Sequence, residues 1–515
     1  MTRSPDPHEG TGSPNSGPGE GRDQWNEYSE SDRRAERGRH DPHGSPGELD
    51  ERAGLEHDHP AVEHPHPRGS RAPLEHDTDN PPHEGTDSPK SGAEVGSDIP
   101  SHEDAGSPSE ESSTSFVGHQ IGTREYRRIS ISLFLAGLAT FALLYDTQPI
   151  LPLIGDEFGL RADEAALSVS VTTLGLALAL LVAGPVSEVR GRTRIMFASL
   201  FVSAIVAVLV GLAPTWQILL FLRFVQGITV AGLPAVAMAY LSEEVHGSAQ
   251  ARAAGLYIGG TALGGMSGRL GVGALTEFLG WRGALVGMGV MAFACALAVW
   301  KWLPRSRGFV PGQAGLKNLW HQTAAIMRDP VLVGLFFIAA ASMGSFVGVF
   351  NIMGYRLEEP PYSLSVGVSG LVFLVYALGS YASAFAGRAA SKVGQRKVEP
   401  VAVTVMLIGL LITLLHPLWL VIVGLAIFTV GFFAVHGVAS GWVAARAKAG
   451  VGATGQASSG YMFFYYTGSS IFGALAGTFW AWAAWPGVVL MAGVMLALVL
   501  VTSLLLKRTR SLGAR

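Results

Sequence analysis

The stretch GPVSEVRGRTR at residues 184–194 returns in altered form as GRAASKVGQRK at residues 387–397. Both copies place two glycines seven residues apart, with basic side chains after the second glycine. A second pair of segments repeats as well, since Tyr257 in GLYIGGTALGG corresponds to Tyr461 in SGYMFFYYTGSS. The first pair is separated by 203 residues and the second by 204. The chain therefore contains an internal repeat of two halves.

Long apolar segments lie on both sides of these motifs. Each is about 20 residues long, the length of a helix that crosses ~30 Å of hydrocarbon. Several carry no charged residue, so a soluble bundle of amphipathic helices is excluded. Together with the repeat, they predict an all-α polytopic membrane protein of twelve transmembrane helices in two six-helix halves. The predicted spans are residues 131–153, 165–187, 195–213, 216–240, 253–275, 282–303, 331–353, 365–387, 399–415, 418–442, 455–479 and 486–506.

The first 120 residues differ in composition from the rest of the chain. They hold 26 of the 40 acidic side chains, 10 of the 37 basic ones and 11 of the 15 histidines. A segment this polar buries too little apolar surface to offset the entropy of ordering its backbone. We expect a disordered acidic tail at 1–120, a helical half at 124–303, a central loop at 304–330, a second half at 331–507 and a short terminus at 508–515.

Basic side chains concentrate in alternate loops, which predicts the orientation. Loops rich in Arg and Lys face the cytoplasm under the positive-inside rule. Both flanks of the helical region and the central loop belong to this basic set, whereas the opposite loops carry acids such as Asp156 and Glu358. No apolar segment follows Met1, so no cleavable signal peptide is expected. We predict a multi-pass protein with both termini in the cytoplasm.

Charged residues inside the spans are the candidates for function. Asp146 lies within FALLYDTQPILPLI, residues 141–154, where an aspartate costs roughly 2.5–3.5 kcal/mol on insertion scales. Arg223 and Arg269 are predicted at nearly the same depth on two other helices, so a guanidinium can offset the carboxylate. Intramembrane ionisable groups usually serve transport, which favours a proton-exchanging carboxylate over an ion pair that only fixes helix packing.

Other uses of these polar residues stay open. Arg223 and Arg269 can instead clamp an anionic substrate, or Arg269 can extend to the membrane interface. His436, about six residues from the end of its predicted span, can titrate near neutral pH or hydrogen-bond a neighbouring helix. The candidates for lining a central cavity, rather than packing between helices, are Tyr257, Asn351, Tyr355, Tyr461 and Tyr465.

These motifs resemble those of the major facilitator superfamily over about residues 124–507. GPVSEVRGRTR is similar to the family's loop 2–3 motif, although Glu188 replaces the usual Asp and Val189 stands where a base is usual. RFVQG, residues 223–227, resembles the fourth-helix motif of proton-coupled members. The strings YIGGTALGGMSGRL, FNIMGYRL and GFFAVHGVAS are similar to bacterial inner-membrane YnfM-like exporters, which resemble the drug–proton antiporter and sugar-efflux branches.

The resemblance implies a place in the bacterial inner membrane and a gate at the loop 2–3 motif. In this family the acid of the motif latches the inner side against the start of helix 11, here GATGQASSG at 452–460. Plain positive-inside topology explains the arginines of the motif but not Glu188. The expected gating residues are Gly184, Glu188, Arg190, Gly191 and Arg192.

Several functional classes have no support in the sequence. No GxxxxGK[ST] phosphate loop occurs, no nucleophile–base set stands out, and no cofactor or metal is expected; the histidines of EHDHPAVEHPHP (56–67) favour a solvated tail. We predict a monomeric secondary transporter in the lipid bilayer, without nucleic acid, that exports a small organic molecule against proton entry. The alternatives are uptake, anion transport through Arg223 and Arg269, or a transporter-like sensor that signals through its tail.

The predicted topology is testable with reporter fusions. A reporter fused after Lys507, or inserted within 305–328, should report the cytoplasm, because both sites belong to the basic set of loops. A reporter within 357–363 should report the opposite side. Reversal of any one of these three results would contradict the twelve-span topology.

Overall fold

The computed structural model describes residues 118–309 and 316–509. The predicted disordered tail therefore falls outside the described residues, apart from its last three positions. Within the two described ranges the backbone forms helices and turns, with one isolated bridge between His119 and Val245 and no longer strand. The all-α prediction is confirmed for this part of the chain.

The helices follow the repeat. The first half contains α1 (Arg124–Leu144), a 3-10 turn (Gln148–Ile150), α2 (Leu151–Phe158), α3 (Ala162–Arg190), α4 (Arg192–Gly211), α5 (Trp216–Val230), α6 (Gly232–Glu244) and α7 (Gly247–Trp302). The second half and the helix before it contain α8 (Leu316–Arg328), α9 (Pro330–Glu358), α10 (Val366–Gly370), a 3-10 turn (Leu371–Tyr376), α11 (Ala377–Val393), α12 (Gln395–Ile412), α13 (Leu418–Gly450) and α14 (Thr454–Lys507).

These helices account for twelve spans. Among the described residues, nine helical segments are long and apolar enough to cross a membrane. Two of them hold two spans each: α7 is interrupted at Gly280, with φ +65°, and α14 at Ala483 and Ala484. The twelfth span is α12, whose 18 residues include Arg396, Lys397 and Glu399. The predicted central loop contains a helix, α8.

The repeat extends to backbone geometry. The short turns before α4 and α12 are made by Gly191 and Gly394, which have the same φ of +92° and ψ angles of 140° and 141°. This left-handed region of φ favours glycine. Residues of α4 and α12 therefore correspond at an offset of 203 positions in the structure as well as in the sequence.

One helix is longer than the hydropathy pattern predicted. The tenth span was expected to end at residue 442, but α13 continues to Gly450. The apolar run ends near Trp442, but the Ala-rich segment that follows has high helix propensity. Fourteen residues of helix therefore follow His436, which places it deeper in the bundle than the predicted six residues from the end.

The bundle has two chemically different ends. We call the end that carries Arg190, Arg192, Arg446 and Lys507 the basic end. The opposite end, which we call the acidic end, carries the carboxylates of Asp156, Glu157, Asp163, Glu277 and Glu358.

A glycine stripe on α7 packs the first half together. A Cβ atom added at Gly260 would lie 2.3 Å from the Phe134 carbonyl oxygen, and one at Gly264 would lie 2.3 Å from that of Leu138. Gly268 meets Ala142 in the same way, at 2.4 Å. These three glycines, four residues apart, let the backbones of α1 and α7 touch.

This contact predicts a position-specific effect of alanine on stability. Gly264→Ala should lower stability by about 1–3 kcal/mol, because the methyl group would overlap the α1 backbone. Gly259→Ala on the same helix is the matched control, since its added Cβ meets no atom within 4 Å. Thermal unfolding of the two variants in detergent measures the difference. Equal melting temperatures would show that α1 and α7 are not packed this closely.

Candidate functional site

The first span is broken at the point where Asp146 lies. Helix α1 ends at Leu144, and the chain resumes as a 3-10 turn at Gln148. Pro149 and Pro152 cause this break, because neither has an amide N–H to donate to the preceding turn. The carbonyl groups that end α1 consequently need donors from elsewhere in the protein.

Arg223 on α5 supplies those donors. Its Nη1 lies 2.6 Å from Oδ1 of Asp146, and both side chains are at most 2% exposed. Its two terminal nitrogens also donate to the carbonyl oxygens of Leu143 and Leu144, at 3.3 and 3.2 Å. Its Nε donates to the carbonyl oxygen of Ser168 on α3, at 3.0 Å. One guanidinium therefore ties three helices of the first half together and offsets the buried carboxylate.

Arg269 on α7 lies on the other side of the break. Its Nε donates to Oε1 of Gln148 at 2.6 Å, and its guanidinium carbon lies 4.4 Å from the Tyr145 ring and 4.6 Å from the Tyr376 ring. It is 2% exposed, so it does not extend to the membrane interface. Among the described residues it forms no ion pair with an acid. Its charge is stabilised instead by aromatic rings of both halves.

Gln148 carries this contact across to the second half. Its Nε2 donates to Oδ1 of Asn351 at 2.7 Å, and Nδ2 of Asn351 donates to the Gly473 carbonyl oxygen at 3.0 Å. Asn351, predicted as a cavity-lining candidate, lies fully buried between the halves. Gln148 was not among the predicted site residues, although its position between Asp146 and Pro149 was a usable signal.

The halves close against each other at the acidic end. Oγ of Ser470 donates to the Ser170 carbonyl oxygen at 2.7 Å. The hydroxyl of Tyr355, another cavity candidate, donates to the carbonyl oxygen of Leu151 at 3.1 Å. A Cβ added at Gly477 would lie 2.3 Å from the Asp163 backbone. These contacts join α3 and α14 closely at that end.

The hydrogen bonds that join the two halves among the described residues lie in the middle of the bundle or at the acidic end, so we interpret the basic end as the open one. A Cβ added at Gly184 of α3, Gly387 of α11 or Gly455 of α14 would meet no atom within 4 Å. These three glycines lie near the basic ends of helices from both halves. In the part of the chain that the structure describes, the Glu188 carboxylate makes no ion pair, so the expected latch to the start of the eleventh span, in α14, is not formed in this conformation.

Another residue of the gating motif is engaged within the first half. Arg192 lies 3.0 Å from Oε1 of Glu243 at the end of α6, and its Nη1 donates to Oγ of Ser187 at 2.5 Å. Gly191 provides the turn before α4, and Arg190 is exposed at the end of α3. Arg192 therefore fastens this turn to the fourth span.

Three of the remaining candidates, His436, Tyr461 and Tyr465, form an aromatic cluster in the second half. Nδ1 of His436 lies 3.1 Å from the hydroxyl oxygen of Tyr461, and its ring centroid lies 4.8 Å from that of Tyr465. His436 and Tyr465 are partly buried, Tyr461 is buried, and Tyr257 in the first half is buried as well. A fully buried acid beside this cluster, Glu399, was not predicted.

The closure at the acidic end predicts the effect of one added methyl group. Gly477→Ala should shift the equilibrium toward the state that is open at the acidic end, by about 5–150-fold for ~1–3 kcal/mol of overlap. In a Cys295→Ala background, Ser170→Cys reports this opening through its labelling rate with a hydrophilic maleimide. Gly493→Ala on the same helix is the control, since nothing lies within 4 Å of its added Cβ. Unchanged labelling in Gly477→Ala would contradict the closure.

Comparisons with known proteins agree with this architecture. Residues 129–379 match the family model described as Major Facilitator Superfamily. The chain is 45% identical over 384 residues to the inner membrane transport protein YnfM of Escherichia coli (strain K12), which covers 75% of this chain and 90% of that protein. It is 40% identical over 379 residues to the MFS-type transporter YybF of Bacillus subtilis (strain 168), with 74% and 93% covered.

A solved structure shows the same fold. It is the crystal structure of a bacterial homolog to the human lysosomal transporter Spinster, in an inward-facing and occupied conformation. The TM-score is 0.64 at 17% sequence identity, and the match covers 76% of this chain and 98% of that one. The relatives, the fold and the two repeated halves lead to one conclusion: the chain belongs to the major facilitator superfamily of membrane transporters.

Proposed function

We propose that this protein exports a small organic molecule from the bacterial cytoplasm in exchange for protons. The observation that carries the proposal is the position of the Asp146–Arg223 pair. The two side chains are buried, and Nη1 of Arg223 lies 2.6 Å from Oδ1 of Asp146. They lie at a helix break that also contains Gln148, a residue in contact with the other half of the molecule. A charge change at Asp146 therefore occurs two residues from the closure between the halves.

The conformation supports alternating access. The acidic end is closed and the basic end is open, and the positive-inside rule assigns the basic end to the cytoplasm. With that orientation this is the inward-open state, the state in which an exporter takes up its cargo. In the opposite state the basic end would close, and Glu188 would then form its latch to the start of α14.

The helix break gives protonation a mechanical consequence. A protonated Asp146 has no charge, so it loses most of its attraction for the Arg223 guanidinium. The segment between Leu144 and Leu151 has few backbone hydrogen bonds of its own, so it can rearrange at low cost. Movement of Gln148 would break its contact with Asn351 and loosen the acidic end. Two discrete packings of the halves, biased by one proton, give coupled transport when cargo and proton compete for the carrier.

The open basic end supplies the route to the cargo site. His436, Tyr465 and Tyr461 lie on α13 and α14, toward the open side of the closure. The partly exposed His436 and Tyr465 offer aromatic surface to an apolar organic molecule, whereas the buried Tyr461 and Tyr257 would reach it only after a rearrangement. Asn351 and Tyr355 belong to the closure and would face the cavity only in the opposite state.

Asp146→Asn tests the proton coupling. One proton moving down a gradient of one pH unit supplies ~1.4 kcal/mol, a tenfold accumulation ratio. In proteoliposomes, screened with a radiolabelled panel of organic cations, sugars and carboxylates, wild-type protein should concentrate its cargo when a pH gradient is imposed. The Asp146→Asn variant should lose about this tenfold accumulation per pH unit, because the asparagine is a fixed neutral analogue of the protonated acid. It should still exchange cargo across the membrane when no pH gradient is imposed.

Asp329→Asn is the matched control for this substitution. Asp329 also pairs with an arginine, Arg446 at 2.8 Å, but it lies at the basic end, away from the helix break. The Asp329→Asn variant should therefore keep the proton-coupled accumulation of cargo. Undiminished coupling in Asp146→Asn would make the aspartate a structural residue and would refute the mechanism.

A second candidate function is transport of an organic anion. The observation that favours it is the buried Arg269, which has aromatic neighbours and an amide but no carboxylate partner among the described residues. A carboxylate cargo could replace the Gln148 amide at its guanidinium. The same panel of labelled compounds separates the two candidate functions. Anion transport requires that only carboxylates accumulate and that this accumulation is lost in Arg269→Gln.

A further inference from the structure

Glu399 is a fully buried acid without a partner. It is the fifth residue of α12 and is 0% exposed. Among the described residues, neither of its carboxylate oxygens accepts or donates a hydrogen bond. A carboxylate buried without a charge or hydrogen-bond partner is among the costliest arrangements in a protein. The neutral acid removes most of this cost, so the site is suited to hold a proton.

The nearest polar groups form a chain toward the open end. Glu399 interacts electrostatically with the Tyr461 hydroxyl on α14, although no hydrogen bond joins the two side chains. The Tyr461 hydroxyl in turn lies 3.1 Å from Nδ1 of His436. His436 is partly exposed, whereas Tyr461 and Glu399 are buried. The His436–Tyr461 contact is in place, but no hydrogen bond joins Tyr461 to Glu399 in this conformation, so a proton passes to the carboxyl group only after the Tyr461 hydroxyl moves within reach of it.

The other charged groups around α12 have different partners. Arg446 of α13 pairs with Asp329 at 2.8 Å, and Arg396 of α12 lies over the Trp442 ring at 5.9 Å. Arg388 and Lys392 of α11 and Lys397 of α12 are exposed. No cation among the described residues therefore neutralises Glu399.

The repeat shows that the fold does not need an acid at this position. At the offset of 203 residues, Glu399 corresponds to Met196, the fifth residue of α4, which is also 0% exposed. The two helices begin at equivalent glycine turns, so the two positions have the same place in their halves. The first half fills it with an apolar side chain and the second half with a titratable one.

We propose that Glu399 is a second proton-binding residue of the transporter, loaded through Tyr461 and His436. When the Tyr461 hydroxyl comes within hydrogen-bond distance of Glu399, the His436 imidazolium gives its Nδ1 proton to the Tyr461 oxygen, and the Tyr461 proton moves to a Glu399 oxygen. An N–H bond and an O–H bond break and two O–H bonds form, so the charge on Glu399 is removed. This inference rests on the proposed proton coupling and adds a site in the second half.

The test is an infrared titration of the full chain in liposomes, with the proton itself as the probe. Carboxylic acids and carboxylates absorb at separate frequencies, and the wild-type minus Glu399→Met difference isolates one group among the 40 acidic side chains. We expect an acid band at neutral pH that converts to a carboxylate band as the pH rises. A carboxylate band at every pH, or an acid band that persists until the protein unfolds, overturns the proposal.

Two further variants keep this test specific. Glu243→Gln is the control, because Glu243 is paired with Arg192 and its difference spectrum should show a carboxylate at neutral pH. Tyr461→Phe keeps the ring and removes the hydroxyl, so the Glu399 band should titrate at a different pH. An unchanged midpoint would overturn the assignment of Tyr461.

The folding of the variants is also predicted. Glu399→Met should melt no lower than the wild type, since Met occupies the equivalent position of the first half and the substitution removes an unpaired buried acid. If it fails to fold, Glu399→Gln gives the same difference spectrum.

The infrared readout needs no cargo, so it is separate from the transport assay of Asp146→Asn. Lost coupling in Asp146→Asn without a titrating Glu399 band overturns only the second site. A titrating Glu399 band with full coupling in Asp146→Asn overturns only the role of Asp146.

Discussion

A guanidinium buried in a membrane protein needs an acceptor for each of its nitrogens, and Arg223 meets this constraint through the break in the first span. The break alone would leave two carbonyl groups without donors, and the arginine alone would leave a charge without a partner. In the structure the Arg223 guanidinium donates to these carbonyl groups and pairs with Asp146, so the donors that the break lacks and the partners that the charge lacks are supplied together. The position of Gln148, and with it the contact between the halves, depends on this arrangement.

Much of the fold could be predicted from sequence because its causes are local. The length of an apolar segment predicts a membrane span, and the glycine turns at Gly191 and Gly394 mark the repeat. The contact between Asp146 and Arg223 followed from their matched depths in the first and fourth predicted spans. The end of α13 did not follow, because hydropathy records the edge of the hydrocarbon, whereas a helix continues until its backbone meets a breaker.

Other parts of the site depend on the tertiary arrangement and were missed. Asn351 faces the other half because of how α9 packs in this conformation, which no spacing along the chain reveals. Glu399 looks unremarkable in sequence, since it follows basic residues at the start of a span. Only its burial without a partner, and the methionine at the matching position of the first half, distinguish it from an interfacial acid.

The closure at the acidic end has a consequence for how such proteins diversify. Gly477 meets the backbone of Asp163, and Ser470 meets the backbone of Ser170, so this end is closed largely by main-chain shape. The aromatic residues near His436 lie elsewhere, on the open side. Mutations that exchange one cargo for another can therefore accumulate around the cavity without disturbing the gate. An inherited conformational cycle would then serve many chemical specialisations.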